Sequence, residues 1–556
     1  MNYTKFDFLG MTVGPVEIAF LIYLVFMIGI GIWAYKRTND SSDYMLGGRG
    51  LGGAVTALSA GASDMSGWIL MGLPGAIYFS GLSDSWLALF LIIGAYLNWK
   101  FIAGRLRAYT EIADNALTLP DYFAGRFHDA GKALRIVAVL VMIVFFGYYI
   151  GSGLVAGSKL FESSFGYDYN TALLVSSIVI ISYTFLGGFL AVSWTDFFQG
   201  LIIMTALIVA PIVLLVEYNG LSGIVEATRE IKPEAVSFTQ GFFDLEGSFK
   251  WIAFLSLAAW GLGYFGQPHI LARFMAVKSV NTVPQARRIG MSWMIVCVLG
   301  AVFIGFAGIA FFGGDFNAKA YVLLSAEDVA VLNTAPGSEK VFLLLTQALF
   351  NPWLAGFLLA AILAAVMSTI DSQLLAVSSS VTEDVYKPYM RPNASEKELV
   401  WVNRFIVILV AGIGISVAMG DSRNVLNLVG QAWAGFGASF GPVIIFSLLW
   451  QRMTRHGALA GIATGAVTVL VWDGLEKFYT KEVDRINEFG QKVLDGNGDV
   501  IVDKVLQVPL FGLYEMLPGF ILSCIAIVVV SKLTKVAETT YNQFDWYRNE
   551  FKKYKS

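Results

Sequence analysis

The sequence predicts an all-α polytopic membrane protein with thirteen transmembrane helices, its amino terminus outside and its carboxyl terminus inside. Three observations carry that prediction. Apolar runs of about 20 residues, the length that crosses a hydrocarbon core, recur along the chain. The composition, 56% hydrophobic and 14% charged over 556 residues, lies far from that of a water-soluble domain. The basic residues collect in alternate connections.

The runs fall at 13–33, 54–78, 84–104, 134–158, 170–190, 194–216, 251–271, 289–313, 341–375, 399–419, 425–449, 457–473 and 510–531. With the amino terminus outside, 25 of the 38 Lys and Arg residues lie in inner segments. The others lie mostly in the long connections 217–250, 314–340 and 474–509, where charge bias weakens as a topology signal. The chain divides into a first helix (1–36), two five-span units (54–216 and 251–449), peripheral helices with an external loop at 474–509 (457–531), and a cytoplasmic tail (532–556). A net charge of -3 gives no footing for nucleic acid. Cys297 and Cys524 both sit in apolar runs, and His128, His269 and His456 are too scattered to share a metal. The first residues lack the pattern of a cleavable signal, so insertion is expected to start with the first span. Asp495 to Asp499 opens like a calcium loop, but Val500 stands for the central glycine and Leu506 for the twelfth-position glutamate, so a solvated turn is expected. The segment 541–556 reads as a surface helix or a disordered end.

Inside the second span, Ser59 to Gly72 carries Gly61, Ser63, Asp64, Ser66 and Gly67. An ionisable group at membrane depth costs several kcal/mol unless it faces a cavity or a partner. The glycines and competing hydroxyls favour a break in the helix, whose freed carbonyls can ligate a small cation; the alternative is a small-residue helix packed tightly on its neighbours. The seventh span reads Trp260-Gly-Leu-Gly-Tyr-Phe-Gly-Gln-Pro268, which predicts a second break. It begins five spans after the first. An odd-numbered unit inserts its second copy upside down, giving a five-plus-five inverted repeat with broken helices 2 and 7 facing each other. In the ninth span Ala365, Ser368, Thr369 and Ser372 recur at helical spacing. Their hydroxyls suit a hard ion such as sodium, unless they only bond back to their own helix.

Six runs then carry a resemblance: Ser42–Arg49 (SDYMLGGR), Thr56–Trp68 (TALSAGASDMSGW), Ala116–Tyr122 (ALTLPDY), Tyr183–Asp196 (YTFLGGFLAVSWTD), Gly261–His269 (GLGYFGQPH) and Trp433–Pro442 (WAGFGASFGP). Together they resemble the sodium/solute symporter family, and within it the bacterial members that carry proline. The likeness spans the chain apart from the 474–509 loop and the tail. It implies a secondary transporter in the cell membrane, not an enzyme, that moves L-proline inward with sodium and needs no further cofactor.

The resemblance also implies a sodium site from the carbonyls of Ala62, Met65 and Ala365 and the hydroxyls of Ser368 and Thr369. Asp64, Ser66 and Arg49 are implicated in coupling, the alternative for Arg49 being a basic anchor at the inner side. The substrate is expected at Trp68, Tyr149, Trp260 and Tyr264, with Gln267, Pro268 and Gln431 beside it. Asp371 and Ser372 depart from the family pattern; with Asp196 and Ser368 they suggest a second cation site, the alternative being solvated or arginine-paired carboxylates at the inner surface.

Proline joins a secondary ammonium to a compact apolar ring, and aromatic faces suit both. Trp260 and Tyr264, four apart, share a face if the backbone between them stays helical. Broken-helix amides suit the carboxylate. Another small solute, or a sodium-conducting channel, remains the competing expectation.

Overall fold

The computed structural model describes residues 6–8, 11–35, 41–129, 132–184, 188–243, 247–314, 324, 329–484 and 502–553. The calcium-like run 495–499 lies outside them. Among the described residues, ten helices are long and apolar enough to cross a membrane, and Trp68–Ser80, Tyr169–Ser182 and Trp251–Gly266 form shorter apolar helical stretches. Two short hairpins, β1 (Phe6–Phe8) with β2 (Met11–Val13) and β3 (Thr480–Asp484) with β4 (Val502–Leu506), are the strands described.

In chain order the first half comprises α1 (Pro15–Tyr35), α2 (Ser41–Leu46), α3 (Gly53–Asp64), α4 (Leu73–Ser80), α5 (Ser85–Leu97), α6 (Gly104–Ile112), α7 (Leu119–Phe127), α8 (Ala133–Phe165), α9 (Tyr169–Thr184), α10 (Phe189–Glu217) and α11 (Leu221–Ile231). The second half comprises α12 (Trp251–Ala259), α13 (Pro268–Ala276), α14 (Val283–Gly313), α15 (Ala335–Ser338), α16 (Val341–Leu349), α17 (Pro352–Val381), α18 (Glu396–Ala418), α19 (Val425–Leu449), α20 (Arg455–Tyr479), α21 (Met516–Leu533) and α22 (Glu538–Lys553).

Both interrupted spans are interrupted. Helix α3 ends at Asp64, Met65 turns out of the helix with φ -83° and ψ 73°, and the chain rewinds from Trp68. In the other, α12 tightens at Trp260–Gly266 into a 3₁₀ turn, Gln267 is extended at φ -76° and ψ 108°, and Pro268 opens α13. Proline suits that first position because its missing N–H would have no intrahelical partner there.

Two expected spans are redrawn. The run 341–375 is two helices: α17 starts afresh after Phe350, with the Asn351 Oδ1 accepting from the amides of Trp353 and Leu354, 3.2 Å each, and Pro352 in the first turn. The uninterrupted apolar composition concealed this cap. The run 510–531 begins its helix only at Met516, after a 3₁₀ turn at Pro509–Gly512. The tail forms α22, which docks Phe544 and Tyr547 against Tyr109 and Arg126 instead of lying free.

Burial separates centre from rim. The apolar windows of α17 and α19 are each 83% buried, whereas those of α1 and α21 are 22% and 28% buried and turn most of their surface outward. Helix α3 packs on α10, α13, α14 and α17; α8 packs on α9, α17, α18 and α19. The 3₁₀ turn lies between α5 and α19. Close approach there needs glycine: a Cβ on Gly94 would come within 2.0 Å of the Gly261 carbonyl oxygen, and one on Gly266 within 2.1 Å of that of Phe436.

Candidate sodium and substrate site

The break in α3 frees backbone oxygens just where α17 presents hydroxyls. The Ser368 Oγ donates to the Ala62 carbonyl at 2.8 Å and is 3.1 Å from the Ala365 carbonyl; the Thr369 Oγ1 approaches the Ala62 carbonyl at 3.4 Å. All four residues are buried. Met65, the first residue outside α3, is also fully buried. Ser368 bonds both back along its own helix and across to α3, so the two uses left open by its spacing coexist. Four neutral oxygens converging in a buried interior make a hard-ion environment.

Asp64 joins this cluster to the second broken helix. Its carbonyl accepts from the Trp68 Nε1 at 3.0 Å, the Tyr149 hydroxyl at 3.2 Å and the Ser66 amide at 3.0 Å. Its carboxylate Oδ2 accepts from the Tyr264 hydroxyl at 2.6 Å. The Oδ1 is buried with no hydrogen-bond partner among the described residues. Asp64, Asn98, Trp99 and Tyr264 line a cavity of about 20 Å³, enough for one water-sized particle. An unmatched carboxylate oxygen in such a place is stabilised by a nearby cation.

The expected substrate residues divide into two tiers. Trp68, Tyr149 and Tyr264 meet around Asp64. Trp260 and Gln431 instead line a separate cavity of about 1060 Å³. Trp260 stacks on Tyr514 with ring centroids 5.1 Å apart and planes 17° apart, while the Gln431 Nε2 donates to the Asp473 Oδ1 at 3.0 Å. The shared face expected for Trp260 and Tyr264 does not form. In a 3₁₀ turn, residues four apart point roughly 120° away from each other, so one ring reaches the large cavity and the other reaches Asp64. Gln267 lies between the tiers, its Nε2 donating to the carbonyls of Gly263 at 3.0 Å and Trp433 at 3.3 Å, its Oε1 without a partner among the described residues.

Arg49 touches none of these residues through its hydrogen bonds. In a left-handed turn at φ 52°, it donates to the Thr110 Oγ1 at 3.0 Å and to the carbonyls of Ala116 at 2.8 Å and Met275 at 3.3 Å, tying α6 to the end of α13. Asp196, Asp371 and Ser372 are fully buried rather than solvated at a surface. The Arg273 guanidinium occupies their midst. It lies 3.1 Å from the Asp196 Oδ2, donates to the Ser372 hydroxyl, and sits 5.0 Å from the Phe189 ring centroid. The Ser59 hydroxyl donates to the same Asp196 oxygen at 2.7 Å. Asp371 accepts from the Thr184 hydroxyl on one oxygen and has no partner among the described residues on the other.

The sequence profile of the sodium:solute symporter family matches residues 44–465. The chain belongs to that family. The sodium/proline symporter of Escherichia coli (strain K12) is 50% identical over 521 residues, covering 94% of this chain and 93% of that protein. The sodium/proline symporter of Haemophilus influenzae is 47% identical, covering 97% of this chain and 99% of that protein. A solved structure of a Na+-coupled sialic acid symporter, substrate-bound, outward-open and reported to reveal a novel Na+ site, superposes with a TM-score of 0.71. At 19% identity, covering 94% of this chain and 99% of that one, it shows the fold. This is a multi-pass membrane transporter of the sodium:solute symporter family, not an enzyme.

Several residues that shape this symporter's site went unnoticed in the sequence. Asn98 donates its Nδ2 to the Tyr264 carbonyl at 2.8 Å, and the Trp433 Nε1 donates to the Trp260 carbonyl at 2.8 Å, so both support the 3₁₀ turn. Asn98, a polar residue inside an apolar run, carried a usable signal. Trp433 opens one of the six family-like runs but nothing there marked this contact, and Tyr514 carried no signal, being one aromatic among many.

Proposed function

We propose that this chain carries L-proline into the cell together with sodium, by alternating access between an outward-open and an inward-open state. One observation carries the proposal: the broken end of α3 shares its carbonyls with the α17 hydroxyls on one side and with Trp68 and Tyr149 on the other. An ion at Ala62, Met65, Ala365, Ser368 and Thr369 then fixes the backbone that the substrate's aromatic neighbours hold. Ion and solute stabilise each other's binding through the same turn. The names of the relatives support proline as the solute.

In this proposal thirteen spans cross with the amino terminus outside, 54–216 and 251–449 are the inverted repeats, and the large cavity opens outward. Trp260 and Gln431 meet proline on its way in; Trp68, Tyr149 and Tyr264 hold it once the outer path closes. Asp64 attracts the sodium ion with its unmatched oxygen, Ser66 shapes the turn, and Arg49 holds the inner end shut while the outer end is open. Arg273 already balances Asp196, so Asp196, Asp371 and Ser372 serve as an ionic lock between α10, α13 and α17, and one sodium ion accompanies each proline. One charge crossing 100 mV supplies about 2.3 kcal/mol, about forty-fold accumulation.

The test is uptake of labelled proline into proteoliposomes with and without an inward sodium gradient. Accumulation only with the gradient, at one sodium per proline and unchanged stoichiometry in Asp371→Asn, is expected. Uptake indifferent to sodium overturns the proposal, and currents far above transporter turnover favour a channel.

A further inference from the structure

The large cavity has a one-sided charge. Asp84, Asp473, Glu476 and Glu515 line it, against Lys477 as the one base in its wall. Most of these carboxylates are engaged or open to water. Asp473 accepts from Gln431 on one oxygen and pairs with Lys477 at 2.7 Å on the other, and Glu476 is exposed. Glu515 differs. It is 9% exposed, stands ahead of the apolar helix α21 without capping it, and has no side-chain partner among the described residues. The stacked rings of Trp260 and Tyr514 line the same cavity, and the Tyr514 hydroxyl donates to the Gly430 carbonyl at 2.7 Å.

We propose that this outer cavity contains a transit subsite for a small monovalent cation, either sodium or the ammonium group of the incoming amino acid, with Glu515 as its carboxylate. The subsite rests on the functional proposal for its place on the path, but not for its chemistry. A buried carboxylate beside aromatic faces attracts a partly desolvated cation, and the surrounding acids raise the local cation concentration. The charged groups acting on Glu515 are Asp473, Glu476 and Lys477, all on α20. Burial first, then Asp473 and Glu476, push its carboxyl up to about 8, opposed by its own amide and by Lys477. Near neutral pH an arriving cation therefore replaces a proton, which leaves to the cavity water.

The experiment compares wild type with Glu515→Gln in proteoliposomes, measuring half-saturation for sodium and for labelled proline at about pH 6.5 and about pH 9. Wild type is expected to bind several-fold more tightly at the higher pH, and Glu515→Gln to lose that slope and weaken about five-fold, the scale of one partly buried charge contact. A larger shift in sodium half-saturation identifies sodium as the occupant; a larger shift in proline half-saturation identifies the ammonium group. Glu515→Gln tracking wild type at both pH values overturns the subsite. Should that variant fail to reach the membrane, Asp473→Asn and Glu476→Gln, which weaken only the surrounding field, decide in the same way. If wild type shows no sodium-driven proline uptake, the functional proposal fails on its own. Thermal stabilisation of purified wild type and Glu515→Gln by sodium, set against choline, then judges the subsite: equal responses overturn it.

Discussion

Removing the Ser368 hydroxyl separates an ion ligand from a packing contact. Ser368→Ala deletes one oxygen that lies 2.8 Å from the Ala62 carbonyl and 3.1 Å from that of Ala365, and the smaller side chain clashes with nothing. Without sodium, the loss is that of one neutral hydrogen bond, about 1 kcal/mol of stability. With sodium, the lost partner is a ligand to a full charge, worth about 1.5 to 3 kcal/mol, so half-saturation for sodium should rise about ten- to hundred-fold. Maximal proline uptake should recover at high sodium, because the rings around Asp64 are untouched. Ser378→Ala is the control: it lies in the same helix, is equally buried, and among the described residues its hydroxyl bonds only back to the Leu375 carbonyl at 3.3 Å. The assay is initial-rate uptake of labelled proline into proteoliposomes across a sodium series. A sodium requirement in Ser368→Ala within about two-fold of wild type, matching Ser378→Ala, would refute the ligand assignment.

Further expectations concern the scaffold. Arg273→Gln leaves Asp196 buried without its partner and should cost about 3 to 5 kcal/mol in thermal unfolding, much of it recovered when Asp196→Asn is added. Gly94→Ala must push the 3₁₀ turn carrying Trp260 and Tyr264, so at about 1 to 3 kcal/mol of strain it should raise the KM for proline roughly ten-fold while sparing sodium binding to the solubilised protein. Phe544→Ala removes a ring 5.0 Å from the Arg126 guanidinium and should speed hydrogen exchange throughout α22 without altering exchange in α19.

How much of this was legible depended on whether the signal was local. Breaks are written in the residues that make them, so Gly61 and Gly67 in one span and the Gly261 to Pro268 run in the other located both. The spacing of Ala365, Ser368 and Thr369 put their oxygens on one side of α17 before any partner was visible. Helix pitch was not written there. The 3₁₀ winding at Trp260–Gly266 depends on Gly94 and Gly261 letting two backbones touch, and on N–H donors from the Asn98 side-chain amide and the Trp433 indole on other helices. The α-helical pitch on which a shared face of Trp260 and Tyr264 is conditional therefore does not hold there. Likewise Asp196, Asp371 and Ser372 read either as a cation site or as arginine-paired carboxylates, because Arg273, 77 residues after Asp196, reaches them only in the folded chain. Asn351 and Pro352 did announce a fresh helix start, but the unbroken hydrophobicity on both sides outweighed them.

The docking of α22 gives a late-made helix a structural role. Tyr109 and Arg126 are buried beneath Phe544 and Tyr547. These covering residues emerge from the ribosome after the ten described membrane-length helices have been made. Until then the aromatic socket stays uncovered, and a chain truncated behind α21 keeps the ten described membrane-length helices without that cover.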